Sequence, residues 1–364
     1  MKNKKIAIVS DWIKDWGGAE IVLEQLMEIF PNADIYCSVF WQQKNPIFEG
    51  RNIKTSFIQK IPILNKSHKL ALFFRPLAFE SFDFSSYDIV ISLSSAESKG
   101  VITKPETFHV CYCHTPTRYF WSHYHEYLSM MEFGFLNFLG RFFMPKIVHF
   151  LREWDFCASK RPDIFISNSK NTKKRIKKYY KRDSKVIYPC LDIDKVPFSK
   201  EKKEYYFYTG RCVPYKKFDL LVDAFNKNGR RLVIATNTKN NLCKKLIKKS
   251  NNNILWYTNI SEKDINKLHS HAKAFIFPPE EDFGLVPIFA MASGTPVIAY
   301  GKGGALETVI DGETGIFFEN QTSNSLNKAI EKFDFMSFDY EKIRNYSKKF
   351  DKKIFKKEFL KIFD

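Results

Sequence analysis

Apolar residues in this chain fall into short unbroken runs separated by longer amphipathic stretches. The runs at 5–10, 87–92 and 108–113, and again at 205–209, 231–235, 274–277 and 296–299, are four to six residues long. That length and continuity predict strands buried on both faces. Between them, apolar positions at helical spacing predict helices at about 18–29 and 218–225. Strand and helix signals that alternate in this way specify parallel α/β sheets. There are two such series, divided by Tyr188-Pro189-Cys190-Leu191-Asp192-Ile193-Asp194-Lys195-Val196-Pro197-Phe198 and a charged stretch at 199–204. The expectation is two doubly wound, Rossmann-like domains, residues 1–190 and 191–338, followed by a terminal helix within 339–364. Ligands of such domains sit beyond the carboxyl ends of the strands, here in a cleft between the two.

Two stretches depart from this pattern. Residues 69–75 and 133–144 are rich in Phe and Leu, but Glu132, Arg141 and Lys146 interrupt the longer one. A span needs roughly 20 mostly apolar residues, so neither is a membrane helix. Each reads either as a buried helix wall or as an interfacial surface for a lipid-linked molecule.

At 364 residues the chain has room for two cores, and 44% apolar content can fill them. Met1-Lys2-Asn3-Lys4-Lys5 runs straight into the first strand without a secretory signal, and seven cysteines follow no framework spacing. Both point to a cytoplasmic chain. The 58 Lys and Arg residues outnumber 40 Asp and Glu, a net charge of +18 that attracts anionic ligands or surfaces. Part of the excess lies at 170–182, where Ile176, Tyr179 and Tyr180 mark one apolar helix face. That segment is either a solvated helix face or a site for anionic headgroups. No nucleic-acid-binding motif accompanies the charge, so nucleic acid is not expected as a partner.

Candidate chemistry gathers at strand ends. After the first strand, Gly17 and Gly18 open a helix, where backbone N–H groups can approach an anion closely. The spacing is not that of a dinucleotide fingerprint. In the second half, Tyr208-Thr209-Gly210-Arg211-Cys212-Val213-Pro214-Tyr215-Lys216 places two cations after a strand and before a helix, a set suited to a diphosphate. Pro278-Pro279-Glu280-Glu281-Asp282-Phe283-Gly284-Leu285-Val286-Pro287 gathers acids at a glycine turn and opens another helix, and Gly301-Lys302-Gly303-Gly304 forms a second glycine turn. Cys111, Cys113 and His114 lack a second ligand pair at metal spacing, so no metal site is expected.

Taken together, these stretches resemble glycosyltransferase family 4, the retaining nucleotide-sugar transferases of the GT-B fold, and within it the bacterial O-antigen and exopolysaccharide mannosyltransferases. The resemblance spans both halves: Asp11-Trp12, Gly17-Gly18-Ala19-Glu20, Lys99-Gly100-Val101, Tyr112-Cys113-His114-Thr115-Pro116-Thr117-Arg118-Tyr119, Gly210-Arg211 with Lys216, Glu281-Asp282-Phe283-Gly284 and Gly303-Gly304-Ala305-Leu306-Glu307-Thr308. It implies a peripheral enzyme at the inner face of the cytoplasmic membrane, moving a hexose, first mannose from GDP-mannose, to a lipid-linked saccharide. It needs no cofactor beyond the donor substrate and no metal. Arg211 and Lys216 would bind the diphosphate, Glu281 and His114 the transferred sugar, and Phe283, Gly284, Leu285 and Val286 with Gly17 and Gly18 would line the donor site. The terminal helix would cross back to the first domain.

One position departs from the family. Where its members carry a second Glu, eight residues after the first, this chain has Phe289. That carboxylate is read as the ribose ligand, so Phe289 bears on donor binding. The alternatives are a UDP-sugar-dependent transferase, or a weak or inactive sugar-nucleotide-binding homologue.

Overall fold

The structure, a computed structural model, describes residues 4–14, 16–43, 45–122, 124–125 and 137–364, without the side chains of 68, 69 and 137–142. Much of the aromatic run at 133–144 therefore lies outside the described residues. The chain divides into two compact units, residues 1–189 and 190–364.

The first unit holds seven strands: β1 Ile6–Ser10, β2 Asp34–Cys37, β3 Ile53–Thr55, β4 Ile89–Ser94, β5 Phe108–Cys113, β6 Ile164–Ser167 and β7 Lys185–Val186. All pair in parallel, in the order β3-β2-β1-β4-β5-β6-β7. Every residue of β1 and β4 is buried, as unbroken apolar runs require of strands covered on both faces. The second unit repeats the plan with six strands: β8 Lys203–Thr209, β9 Leu232–Ala235, β10 Ile254–Tyr257, β11 Ala272–Phe277, β12 Val297–Tyr300 and β13 Gly315–Phe318. Their order is β10-β9-β8-β11-β12-β13, again parallel.

In each sheet the winding direction reverses once, between β1 and β4 and between β8 and β11. At such a switch point the loops leaving two neighbouring strands part to opposite faces, which opens a crevice at the carboxyl edge. The helix Gly18–Ile29 follows β1 and buries Val22, Leu23, Leu26 and Met27.

Two helices differ from the sequence expectation. Phe218–Asn228 runs three residues beyond the apolar pattern, because Gly229, at φ 69°, supplies the left-handed cap that ends it. The terminal helix expected from about 339 to 360 is two, Tyr340–Ser347 and Lys352–Leu360, joined by a tight turn at Lys348–Phe350. The break is fixed by Asp351, whose carboxylate caps the second helix at Lys353 N–H, 2.8 Å away. On either side of it, Leu191 and Phe350, then Lys352 and Leu191, exchange backbone hydrogen bonds of 3.0 Å. The basic helix Lys170–Tyr180 buries Ile176 and Tyr180 and leaves most of its lysines exposed.

Candidate active site

In the second unit, the loops after β8 and β11 meet at the switch point. Lys216 ends the short turn Pro214–Lys216, and its carbonyl accepts the Tyr208 hydroxyl at 2.9 Å. Lys217 then takes a left-handed conformation, φ 57°, which turns the chain into the helix Phe218–Asn228. This geometry delivers the Lys216 ammonium to Glu281, and the two form an ion pair with only 15% and 16% of their side chains exposed. Arg211 stands in the same loop, exposed, and carries no ion pair among the described residues. A half-buried cation already balanced by a carboxylate, beside an uncommitted guanidinium, is a place where a phosphate group can add without leaving a charge unpaired.

The third element is a helix start. Gly284, at φ 91°, opens Leu285–Ala292, and no side chain caps it. The Leu285 and Val286 N–H groups lie within its unpaired first turn, where the helix dipole favours an anion. A Cβ at Gly284 would come within 3.0 Å of the Phe277 ring. The second glycine turn holds this loop backbone to backbone. Gly304 N–H donates to Glu281 C=O at 2.8 Å. A Cβ on Gly304 would fall 2.3 Å from the Phe283 backbone, and one on Gly303 would fall 2.5 Å from Glu281 O. Sequence spacing marked both turns as glycine-rich but gave no sign that one seats the other.

Phe289 sits on the same helix, half-buried, its ring 4.9 Å from that of His269. Burial pushes the His269 pKa down to about 3, so Phe289 packs on a neutral imidazole. Phe283 is buried with its ring 5.6 Å from Phe350, which makes it a support of the loop.

In the first unit the matching edge holds Gly17, Gly18 and His114. Gly17 caps the helix Gly18–Ile29 in an extended conformation, and Gly18 is exposed. His114 follows β5, half-buried, with its N–H on Ser94 C=O at 2.8 Å and its ring 5.2 Å from Tyr112. Its neighbours Cys111 and Cys113 are buried in an apolar cluster with Phe165, Ile176 and Tyr180. Burial raises the Cys111 thiol to about 12. Among the described residues, no three His, Cys, Asp or Glu side chains gather to hold a metal ion.

Beneath this edge lies a set of buried charges. The Asp11 carboxylate, at the end of β1, accepts the N–H groups of Ser95, Ala96 and Ser98 at 2.6, 2.9 and 2.7 Å, which ties the β1 and β4 loops across the switch point. Asp155, fully buried, receives Lys99 at 2.5 Å, Thr117 at 2.8 Å, Trp121 at 2.7 Å and Tyr180 at 2.8 Å. Glu97 pairs with Arg75 at 3.4 Å and accepts the Tyr119 hydroxyl at 2.6 Å. The loop that carries His114 is thus anchored on both sides of its turn. The sequence carried one sign of this: Asp155 falls on the apolar stripe of Asn137–Ala158, in step with Met144, Val148 and Leu151. An acid on a buried stripe requires partners.

Comparison with known proteins follows the same two halves. Residues 16–195 match the family model described as Glycosyltransferase Family 4, and residues 191–350 match Glycosyl transferases group 1. The chain is 38% identical to the alpha-1,3/1,6-mannosyltransferase ALG2 of Dictyostelium discoideum over 22% of its own length and 20% of that relative's. It is 32% identical to the capsular polysaccharide biosynthesis glycosyltransferase CapM of Staphylococcus aureus over 34% of its length and 35% of that relative's. The chain thus spans about a fifth to a third of these curated relatives. Among solved structures, Anabaena HepE in complex with UDP superimposes with a TM-score of 0.73 at 15% identity, covering 99% of both chains. The architecture is the α/β GT-B fold.

Proposed function

We propose, from the premise that both halves match glycosyltransferase models within one GT-B fold, that this chain is a retaining, metal-independent hexosyltransferase. Its first substrates are GDP-mannose and a lipid-linked saccharide of a surface polysaccharide such as O-antigen, which places the reaction at the inner face of the cytoplasmic membrane. Mannosyltransferases among the matched relatives support the sugar. The observation that carries the reading is the Lys216–Glu281 pair beside the uncapped helix start at Gly284.

In this reading Arg211, Lys216 and the Leu285 and Val286 N–H groups take the charge that grows on the departing nucleoside diphosphate. Glu281 and His114 hold hydroxyls of the transferred sugar. The acceptor hydroxyl attacks the anomeric carbon on the face that the diphosphate leaves, and its proton passes to a phosphate oxygen. No enzymic nucleophile takes part. Because protein cations neutralise the phosphates, no divalent ion is needed.

Two readings compete. A UDP-sugar donor is favoured by the likeness to HepE, whose structure holds UDP. A weak or inactive sugar-nucleotide binder is favoured by Phe289. A thermal-shift panel of GDP-mannose, UDP-glucose, UDP-galactose, UDP-GlcNAc and plain nucleotides, with and without chelator, separates the donors, and transfer of the hexose from the donor that binds separates an enzyme from an inactive binder. The proposal expects GDP-mannose to raise the melting temperature most, with or without chelator.

A further inference from the structure

Half of the large apolar side chains that are exposed among the described residues lie in two stretches of the first unit, at 61–77 and 143–150. Leu70 lies on the short helix His68–Ala71, Phe73 and Phe74 in the turn that follows it, and Leu77 on the helix Arg75–Glu80, and all four are exposed, Leu77 at 57%. The residues between them, Ala71, Leu72, Arg75, Pro76, Ala78 and Phe79, are buried. The segment is therefore apolar on both sides, one of which the fold covers. A run of large apolar side chains left in water by a folded domain signals a surface it meets.

A second stripe lies alongside. On the helix Asn137–Ala158, Phe143 and Phe150 are exposed, Phe150 at 69%, each one residue before a member of the buried stripe Met144, Val148 and Leu151. Leu72 shares a buried cluster with those three residues, so the two elements are packed together. Ile63, 67% exposed, extends the apolar surface on the helix Pro62–Lys66. No helix among the described residues is long and apolar enough to cross a membrane.

Charge identifies the occupant. No Asp or Glu occurs between Glu49 and Glu80, while Lys60 and Lys66 in that interval are exposed, as is Lys146 between Phe143 and Phe150. Aromatic and aliphatic side chains flanked by lysines, on a stretch free of acids from 50 to 79 and with Glu153, the exposed acid after Phe150, 3.2 Å from His149, match an anionic bilayer: the rings enter the headgroup boundary and the ammonium groups meet lipid phosphates. We propose that Leu70, Phe73, Phe74, Leu77 and Phe150, with Lys60, Lys66 and Lys146, form the face on which the first unit rests on an anionic membrane. This deepens the reading of a lipid-linked acceptor and rests on it for its purpose, but its test reads binding alone.

The experiment is co-sedimentation of the full chain with vesicles of phosphatidylcholine or of an equimolar mixture of phosphatidylcholine and phosphatidylglycerol. The parent is expected on the anionic vesicles and at least about tenfold less on the neutral ones. The Phe73→Ser/Phe74→Ser/Leu77→Ser variant, folded by circular dichroism, is expected to lose at least about tenfold of that binding. An Ile354→Ser/Phe335→Ser control, which removes exposed apolar groups of the second unit, is expected to bind like the parent. Equal binding of the triple variant and parent overturns the proposal, as does a parent that ignores anionic vesicles. A parent dimer that the triple variant converts to monomer, without vesicle binding, overturns it in favour of a second copy of the chain. Nucleotide-sugar shifts are read separately, so a failed membrane test leaves the donor assignment standing.

Discussion

Phe289 and His269 lie ring to ring, centroids 4.9 Å apart, where the helix Leu285–Ala292 meets the helix Glu262–His271. The position at which the family resemblance expects a ribose carboxylate thus serves internal packing. Phe289→Glu restores an acceptor on that helix while removing the ring contact. Donor affinity by calorimetry is expected to rise several-fold, towards about tenfold for one charge-assisted hydrogen bond. Stability is expected to fall by about 1–2 kcal/mol for the half-buried ring. Unchanged affinity would assign the ribose to another group.

Lys216 is the cation placed by fold geometry on the Glu281 carboxylate. Lys216→Ala removes one of the groups proposed to neutralise the leaving diphosphate, and turnover is expected to drop by about a hundredfold or more. Because the Glu281 carboxylate, only 16% exposed, loses its partner, stability should also fall, by about 1–3 kcal/mol, so turnover is compared at a temperature where both proteins are folded. A variant that turns over like the parent would remove Lys216 from the donor site.

Gly304 tests how the acid loop is seated. A Cβ there meets the Phe283 backbone at 2.3 Å, so Gly304→Ala must displace residues 281–283. The expected outcome is weaker nucleotide binding together with a stability loss of about 1–3 kcal/mol. Melting with and without donor nucleotide measures both effects.

Stability should fall with acidity before the carboxylates titrate. Burial holds His269 and His109 near pKa 3, below their ordinary 6.5, so both are neutral in the folded chain while the unfolded chain takes up protons. The unfolded state then binds more protons between 6.5 and 3, and stability present above 6.5 is lost as pH falls through that window. Urea unfolding from pH 7 to about 5 should show a loss of roughly 1 kcal/mol per unit for each histidine towards the acid end. His269→Gln should flatten that slope.

Strands buried on both faces were legible because their apolar runs are continuous: β5, Phe108–Cys113, matches its run residue for residue. β10 and β13 were not, since Ile254–Tyr257 and Gly315–Phe318 carry half-exposed members that break the run, and β2, β3, β6 and β7, two to four residues each with a half-exposed or exposed member, were missed as well. Helix ends failed where a cap decided them, as at Gly229 and Asp351. At the site, Arg211, Lys216 and Glu281 were readable as chemistry, but the Lys216–Glu281 contact spans 65 residues and arises from β8 and β11 being neighbours. The partners of Asp155 come from three separate segments, and only tertiary structure collects them.

Hexose transfer itself tests the central claim most directly. The full chain would be incubated with GDP-mannose and a lipid-linked saccharide extract, with chelator present, and the lipid fraction analysed by mass spectrometry. The account predicts a lipid-linked product one hexose heavier, formed equally with and without chelator and lost in Lys216→Ala. No product from GDP-mannose or any UDP-sugar, or a product that chelator abolishes and manganese restores, would contradict it.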